Sequence, residues 1–257
     1  MGLLGYFVSD RSIFFFVMAV AIPTLWALNC ICADDIDYDL ARGASPRGTP
    51  QSVAPVSALF EDRDLVVFMV CAVLFHFANA AMLPLLGETL AKGHGRASMM
   101  FMSACVVTTQ LVITLLASWA GVKAGEWGRK PLLLIGFAVL PIRGVLYTLT
   151  DSAPLLIGIQ VLDGIGAGIF GVVSVLVIAD LTEGSGRFNL ALGAITTAVG
   201  IGASSSQAIA GGLVHHFGFG VGFLFLAAVA LSAFVILYVW MPETRGLRDA
   251  PAAQDSG

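Results

Sequence analysis

A few polar side chains stand inside otherwise apolar stretches of this sequence. Asp163 and Arg143 are ionisable, and His76 can change charge near neutral pH. Asn79, Gln110 and Gln160 are hydrogen-bonding groups in similar surroundings. Gln160 and Asp163 are three residues apart, as are His76 and Asn79, so each pair shares one helical face. An acid, a base and an imidazole in an apolar medium suit proton relay or binding of a polar solute. The same residues suit plain structure. Arg143 and Asp163 flank a short turn, and an ion pair between them reduces the cost of burying either. His76 reads equally as an interhelical hydrogen-bonder. Gln207 reads as weaker, and His215 and His216 as interfacial.

Other chemistries find no constellation. There is no Walker-type phosphate loop and no His-Glu-x-x-His zinc motif. Cys30, Cys32, Cys71 and Cys105 lack the spacing of a metal site and read as small apolar-segment residues. The chain is expected to be no enzyme and to need no metal or cofactor.

The elements that position these residues follow from composition. Of 257 residues, 58% are hydrophobic and only 12% charged, with a mean hydropathy of +0.90. A soluble domain carries roughly 25% charged residues. A surface this poor in charge faces lipid instead of water. Net charge is −4 and the 13 basic residues form no run, which argues against nucleic acid as a partner. About 20 apolar residues cross the hydrocarbon core as a helix. Seven stretches reach that length: 13–32, 64–86, 98–122, 131–150, 153–179, 189–214 and 219–241. None alternates in polarity as a barrel strand does. The fold class is all-α, a polytopic transmembrane helical bundle of about seven spans.

One connection is long. Residues 33–63 hold Asp34, Asp35, Asp37 and Asp39, then Pro46, Pro50 and Pro55, which is linker composition. It divides a first helix (1–32) from a six-helix block (64–241), and a tail follows (242–257). The first segment reads as a retained span, since no small-x-small cleavage site follows it. Placing the N-terminus outside puts nine basic residues on inner segments: Arg42, Arg47, Arg63, Lys123, Arg129, Lys130, Arg187, Arg245 and Arg248. Only Arg11, Lys92 and Arg96 then lie outside. The positive-inside rule therefore favours an outer N-terminus and a cytoplasmic C-terminus.

The loop after the third span reads Gly121-Val122-Lys123-Ala124-Gly125-Glu126-Trp127-Gly128-Arg129-Lys130-Pro131. It resembles the cytoplasmic gating-loop motif of the major facilitator superfamily, with Gly121, Gly128, Arg129 and Lys130 in the motif's positions. Gly125 stands where the family usually has Asp, and Glu126 where a base is expected, so the family's gating salt link would form here only with Glu126 in place of that acid. Pro242-Glu243-Thr244-Arg245-Gly246 is similar to the ending that follows the twelfth helix in many members. The resemblance implies that residues 1–32 form the sixth helix of twelve and that 64–241 form the C-terminal six-helix half. It also implies that most of the N-terminal half is missing from this chain.

On that resemblance, the expected function is secondary transport of a small solute by alternating access, with proton-coupled efflux as the mode. The solute and proton pathway would use His76, Asn79, Gln110, Gln160 and Asp163. Expected partners are the lipid bilayer, the solute and protons, in the plasma or inner membrane. The alternative is a half-carrier that transports nothing alone and needs a separate N-terminal half or a homodimer. A seven-helix receptor or retinal protein is disfavoured, because the last span, 219–241, has no lysine for a Schiff base.

Overall fold

The computed structural model describes residues 10–31 and 56–246, and all regular structure within them is helical. The helices are α1 (Asp10–Asn29), α2 (Arg63–Ala80), α3 (Met82–His94), α4 (Ser98–Trp127), α5 (Arg129–Leu146), α6 (Ala153–Leu181), α7 (Phe188–Phe217) and α8 (Phe219–Trp240). A short 3-10 turn, Val56–Leu59, precedes α2. Most of the linker 33–63 and the tail beyond residue 246 lie outside the described residues.

Five helices among the described residues are long and apolar enough to cross a membrane: α2 with α3 (Arg63–Gly93), α4, α6, α7 and α8. The helix α5 has the length of a span but carries Arg129, Lys130 and Arg143. Mean hydropathy undervalues such a helix, because its charges are held by partners described below. Along α1, Phe15, Met18, Ile22 and Trp26 are 67–71% exposed. The helix boundaries differ modestly from the sequence expectation. The span expected to reach residue 150 ends as a helix at Leu146, which places Arg143 in the last helical turn.

The stretch 64–86 is interrupted between Ala80 and Met82, where Ala81 separates α2 from α3. Pro84 explains the break, since it has no N–H to give to the carbonyl of Ala80, four residues earlier. The chain restarts with Leu85 donating to the Ala81 carbonyl at 3.1 Å.

Packing falls into two trios. The helices α4, α5 and α6 pack together, as do α2, α7 and α8, and α5 against α8 joins the two. Glycines set the closest approaches. A Cβ at Gly164 would lie 2.5 Å from Val112 Cβ and 2.9 Å from the Thr109 carbonyl oxygen. One turn on, a Cβ at Gly168 would meet Ile113 Cα at 3.3 Å. This Gly-xxx-Gly face thus lies directly against α4, as small-residue spacing permits in lipid. Gly166, on the opposite side of α6, faces Gly136 of α5, whose carbonyl oxygen would stand 3.1 Å from an added Cβ. Close approach on both sides makes α6 the central post of its trio and brings its polar residues within reach of α4 and α5.

Candidate functional site

The Arg143 side chain is the largest fully buried one in the described residues, only 1% exposed. It leaves α5 and reaches three other elements. Arg143 Nη1 donates to Asp163 Oδ1 of α6, closing an ion pair. Nη2 donates to Asn79 Oδ1 of α2 at 2.5 Å and lies 3.1 Å from Met82 Sδ at the start of α3. The second oxygen of Asp163 accepts from Thr109 Oγ1 of α4 at 3.1 Å. Thr109 also lies 3.5 Å from Gln160 Oε1. Five helices, α2 to α6, therefore converge on one buried charge pair. Each helix supplies a group the others need, because burying a charge is costly unless it is paired and hydrogen-bonded.

The structure brings Asn79, Gln160, Asp163 and Arg143 into this cluster. It leaves His76 and Gln110 outside it. His76 Nδ1 donates to the Ala72 carbonyl of its own helix at 2.9 Å. Its ring packs edge-on to Phe170 and Phe75, with centroids at 4.8 and 5.5 Å. This is an aromatic nest with Phe137 and Phe68, one turn from Asn79. A bond to the Ala72 carbonyl requires the proton on Nδ1. Gln110 follows Thr109 on α4, points outward and is exposed.

A second cluster closes the opposite end of the bundle. Gly128 turns the chain between α4 and α5 with φ +101°, a left-handed conformation that favours glycine. A Cβ there would also strike Glu243 Oε2 at 2.5 Å. That carboxylate caps α5: Oε1 accepts from Arg129 N at 2.7 Å and Oε2 from Lys130 N at 3.1 Å. A carboxylate on free N–H groups at a helix start gains from hydrogen bonds and from the helix dipole together. Arg129 Nε pairs with Asp180 Oδ2 at 3.0 Å, and its Nη1 donates to the Ala124 carbonyl at 2.6 Å. Thr244 Oγ1 donates to the same Asp180 oxygen at 3.2 Å. Arg245 Nη1 donates to the Glu126 carbonyl. The segment after α8 is thereby clasped onto the α4–α5 turn and the end of α6.

Glu126 does not take the place of the motif's missing acid in this clasp. Its carboxylate pairs with Lys123 three residues back, on an exposed face. Asp180 holds Arg129 instead. Lys130 lies over the Tyr238 ring at 5.8 Å, and Gly121 approaches Val172 of α6, 3.8 Å from an added Cβ. Sequence reading passed over Thr109, Asp180 and the capping role of Glu243. Asp180 carried a signal, being the one acid at the end of the apolar run 153–179. Thr109 carried none, because a threonine in an apolar helix ordinarily bonds its own backbone.

A bundle of apolar helices long enough to span a bilayer, with a buried charge lock at one depth and a clasped, glycine-turned loop at its end, defines a polytopic membrane protein. Comparison with known proteins agrees. The family profile of the Major Facilitator Superfamily matches residues 68–256, and the chain belongs to that family. Two uncharacterised MFS-type transporters of Mycobacterium tuberculosis, strains CDC 1551 / Oshkosh and ATCC 25618 / H37Rv, are 45% identical over 245 residues. The match takes in 95% of this chain and 59% of each relative, so the chain spans about three fifths of their length.

Proposed function

We propose that this protein works as a secondary transporter, moving a small solute by alternating access, with protons as the coupling ion and efflux as the direction. The buried Arg143–Asp163 pair carries the reading. A carboxylate held at this depth has two states with very different partners. Ionised, it binds Arg143 and Thr109. Protonated, it loses most of its attraction for Arg143, and the tie among α2, α4, α5 and α6 loosens. A proton can thereby change which helices are held together, which is the requirement for coupling.

The block of six spans from α2 to α8, with α2 and α3 counted as one, then serves as the C-terminal half of a carrier, opposed across the solute path by a second bundle. Gln110, on the exposed face of α4, and Asn79 would contribute to that path. The end of the bundle bearing Arg129 and Lys130 is the cytoplasmic one, in line with the excess of basic residues there. The Arg129–Asp180 link and the Glu243 cap hold that end shut in one state and release it in the other.

The test is proton-driven transport of dye-like and drug-like solutes in vesicles. Asp163→Asn, which keeps shape and removes the titrating group, abolishes coupled transport while the protein still assembles in the membrane. Unchanged proton-driven flux in that variant removes Asp163 from the coupling role.

A further inference from the structure

Four buried side-chain nitrogen or oxygen atoms among the described residues have no hydrogen-bond partner: Arg143 Nε, Tyr147 Oη, Gln160 Nε2 and Ser206 Oγ. Orphans of this kind are rare in folded proteins, because each forfeits its hydration. Three of the four gather in one place. Gln160 lies one turn from Asp163 on α6, toward the end of the bundle away from Arg129. Tyr147 follows α5 at that same end, with its ring centroid 5.7 Å from Arg143 Cζ. Tyr147 lies within electrostatic reach of Arg143, Asp163 and the Cys105 thiol, and Cys105 is beside Gln160. Gln160 and Cys105 are 0% exposed and Tyr147 5%.

We propose that this column holds buried water, and that the water connects Asp163 to the end of the bundle away from Arg129 through the Tyr147 hydroxyl. The chemistry of the orphans selects the ligand. Arg143 Nε and Gln160 Nε2 can only donate, while the tyrosine hydroxyl can donate and accept. Water accepts from both nitrogens and exchanges hydrogen bonds with the hydroxyl. Buried waters typically sit where several polar groups would otherwise be unsatisfied. The surrounding elements close the column. Phe223 of α8 packs on Tyr147 at 5.1 Å. Asn79 and Met82 cover Arg143, and Thr109 covers Asp163. The titratable and charged groups facing the column are Arg143, Asp163, Cys105 and Tyr147.

The functional consequence rests on the coupling role proposed for Asp163, although the hydration does not. A proton arriving at Tyr147 passes along the file by hydrogen-bond exchange. Each oxygen on the way receives one proton and gives up one, and the last reaches the Asp163 carboxylate. No other bond forms and no electron is transferred.

Cys105 is a built-in reporter, and Cys71, also 0% exposed and on α2, is its comparator. The S–H stretch lies in a clear infrared window and shifts when deuterium replaces hydrogen. Two single-cysteine forms of the chain, keeping Cys105 or Cys71, are reconstituted in lipid bilayers and moved into heavy water. Cys105 is expected to exchange at least about tenfold faster than Cys71, since exchange follows local water access. Gln160→Leu and Tyr147→Phe each slow Cys105 toward the Cys71 rate. Equal exchange at the two thiols in the parent background overturns the proposal, and that comparison needs no variant within the column. Unaltered Cys105 exchange in both column variants overturns it as well. No solute is required, so the two readings fail separately: rapid Cys105 exchange alongside an Asp163→Asn protein that still transports leaves the water column standing and removes the coupling.

Discussion

At the scale of single residues, the decisive feature is a charge pair that an apolar interior could not tolerate half-made. Removing one member of a buried pair leaves the other uncompensated, at a cost of about 3–5 kcal/mol. Arg143→Leu should therefore destabilise the protein by that order, because Asp163 stays behind with only Thr109 to hold it. The double variant Arg143→Leu/Asp163→Leu should recover most of the loss, since replacing both partners removes the orphan charge. Thermal unfolding of the purified variants in detergent reads both. A double variant no more stable than Arg143→Leu alone would mean that the pair's burial is not the source of the loss.

His76 shows the opposite lesson. Its type and depth pointed to proton chemistry, yet its Nδ1 proton is already given to Ala72 and its ring is walled by Phe75 and Phe170. Sequence spacing placed it one turn from Asn79 correctly. Only the packing reveals that the two point to different neighbours.

At the scale of elements, glycines separate into those that packing requires and those it does not. Gly164 has α4 against it, with Val112 Cβ and the Thr109 carbonyl inside the reach of any side chain. Gly164→Ala forces the two helices apart at the level of Asp163 and should cost about 1–3 kcal/mol. Gly193 on α7 has open space around an added Cβ. Gly193→Ala should be neutral or stabilising by up to about 1 kcal/mol, from helix propensity alone. Unfolding midpoints of the two variants, measured side by side, check the contrast. Equal effects would show that the α4–α6 approach is not tight.

The clasp after α8 is also an element-scale device. Glu243 supplies the N-cap that the α5 sequence lacks, as Gly128 has no side chain to give. Glu243→Gln keeps one acceptor and loses the charge, so about 0.5–2 kcal/mol of the cap should go. Protease sensitivity of the α4–α5 turn should rise with it. An unchanged cleavage rate at that turn would show that other contacts hold it.

At the scale of the whole molecule, the even alternation of spans after residue 63 sets which turns share a side of the membrane. The 183–186 turn and the 126–128 turn lie at one end, and the 147–152 turn lies at the other. Cysteines introduced at Gly184 and at Ser152, in a chain stripped of its own thiols, should react with a membrane-impermeant maleimide from opposite sides. Ser152→Cys is labelled in intact cells, and Gly184→Cys is labelled after the membrane is opened. Labelling of both from outside would overturn the orientation drawn from the basic residues.

The sequence by itself determined that the chain is an all-helical membrane bundle, where its spans lie, and which side chains are out of place in lipid. These are local properties: hydropathy over about 20 residues and the residue types that stand out against it. It also brought Arg143 and Asp163 to the same hairpin, because a short turn leaves few alternatives. Tertiary structure alone decided the rest. That Thr109 completes Asp163, that Gln110 beside it faces outward, and that Asp180 rather than Glu126 holds Arg129 depend on how helices far apart in sequence rotate against each other. A rotation of one residue turns a helical side chain by about 100°, from cluster to lipid, and the helix that fixes it is not nearby in the chain. Asp180 and Glu243 meet the α4–α5 turn across 51 and 114 residues respectively, a separation over which periodicity carries no information.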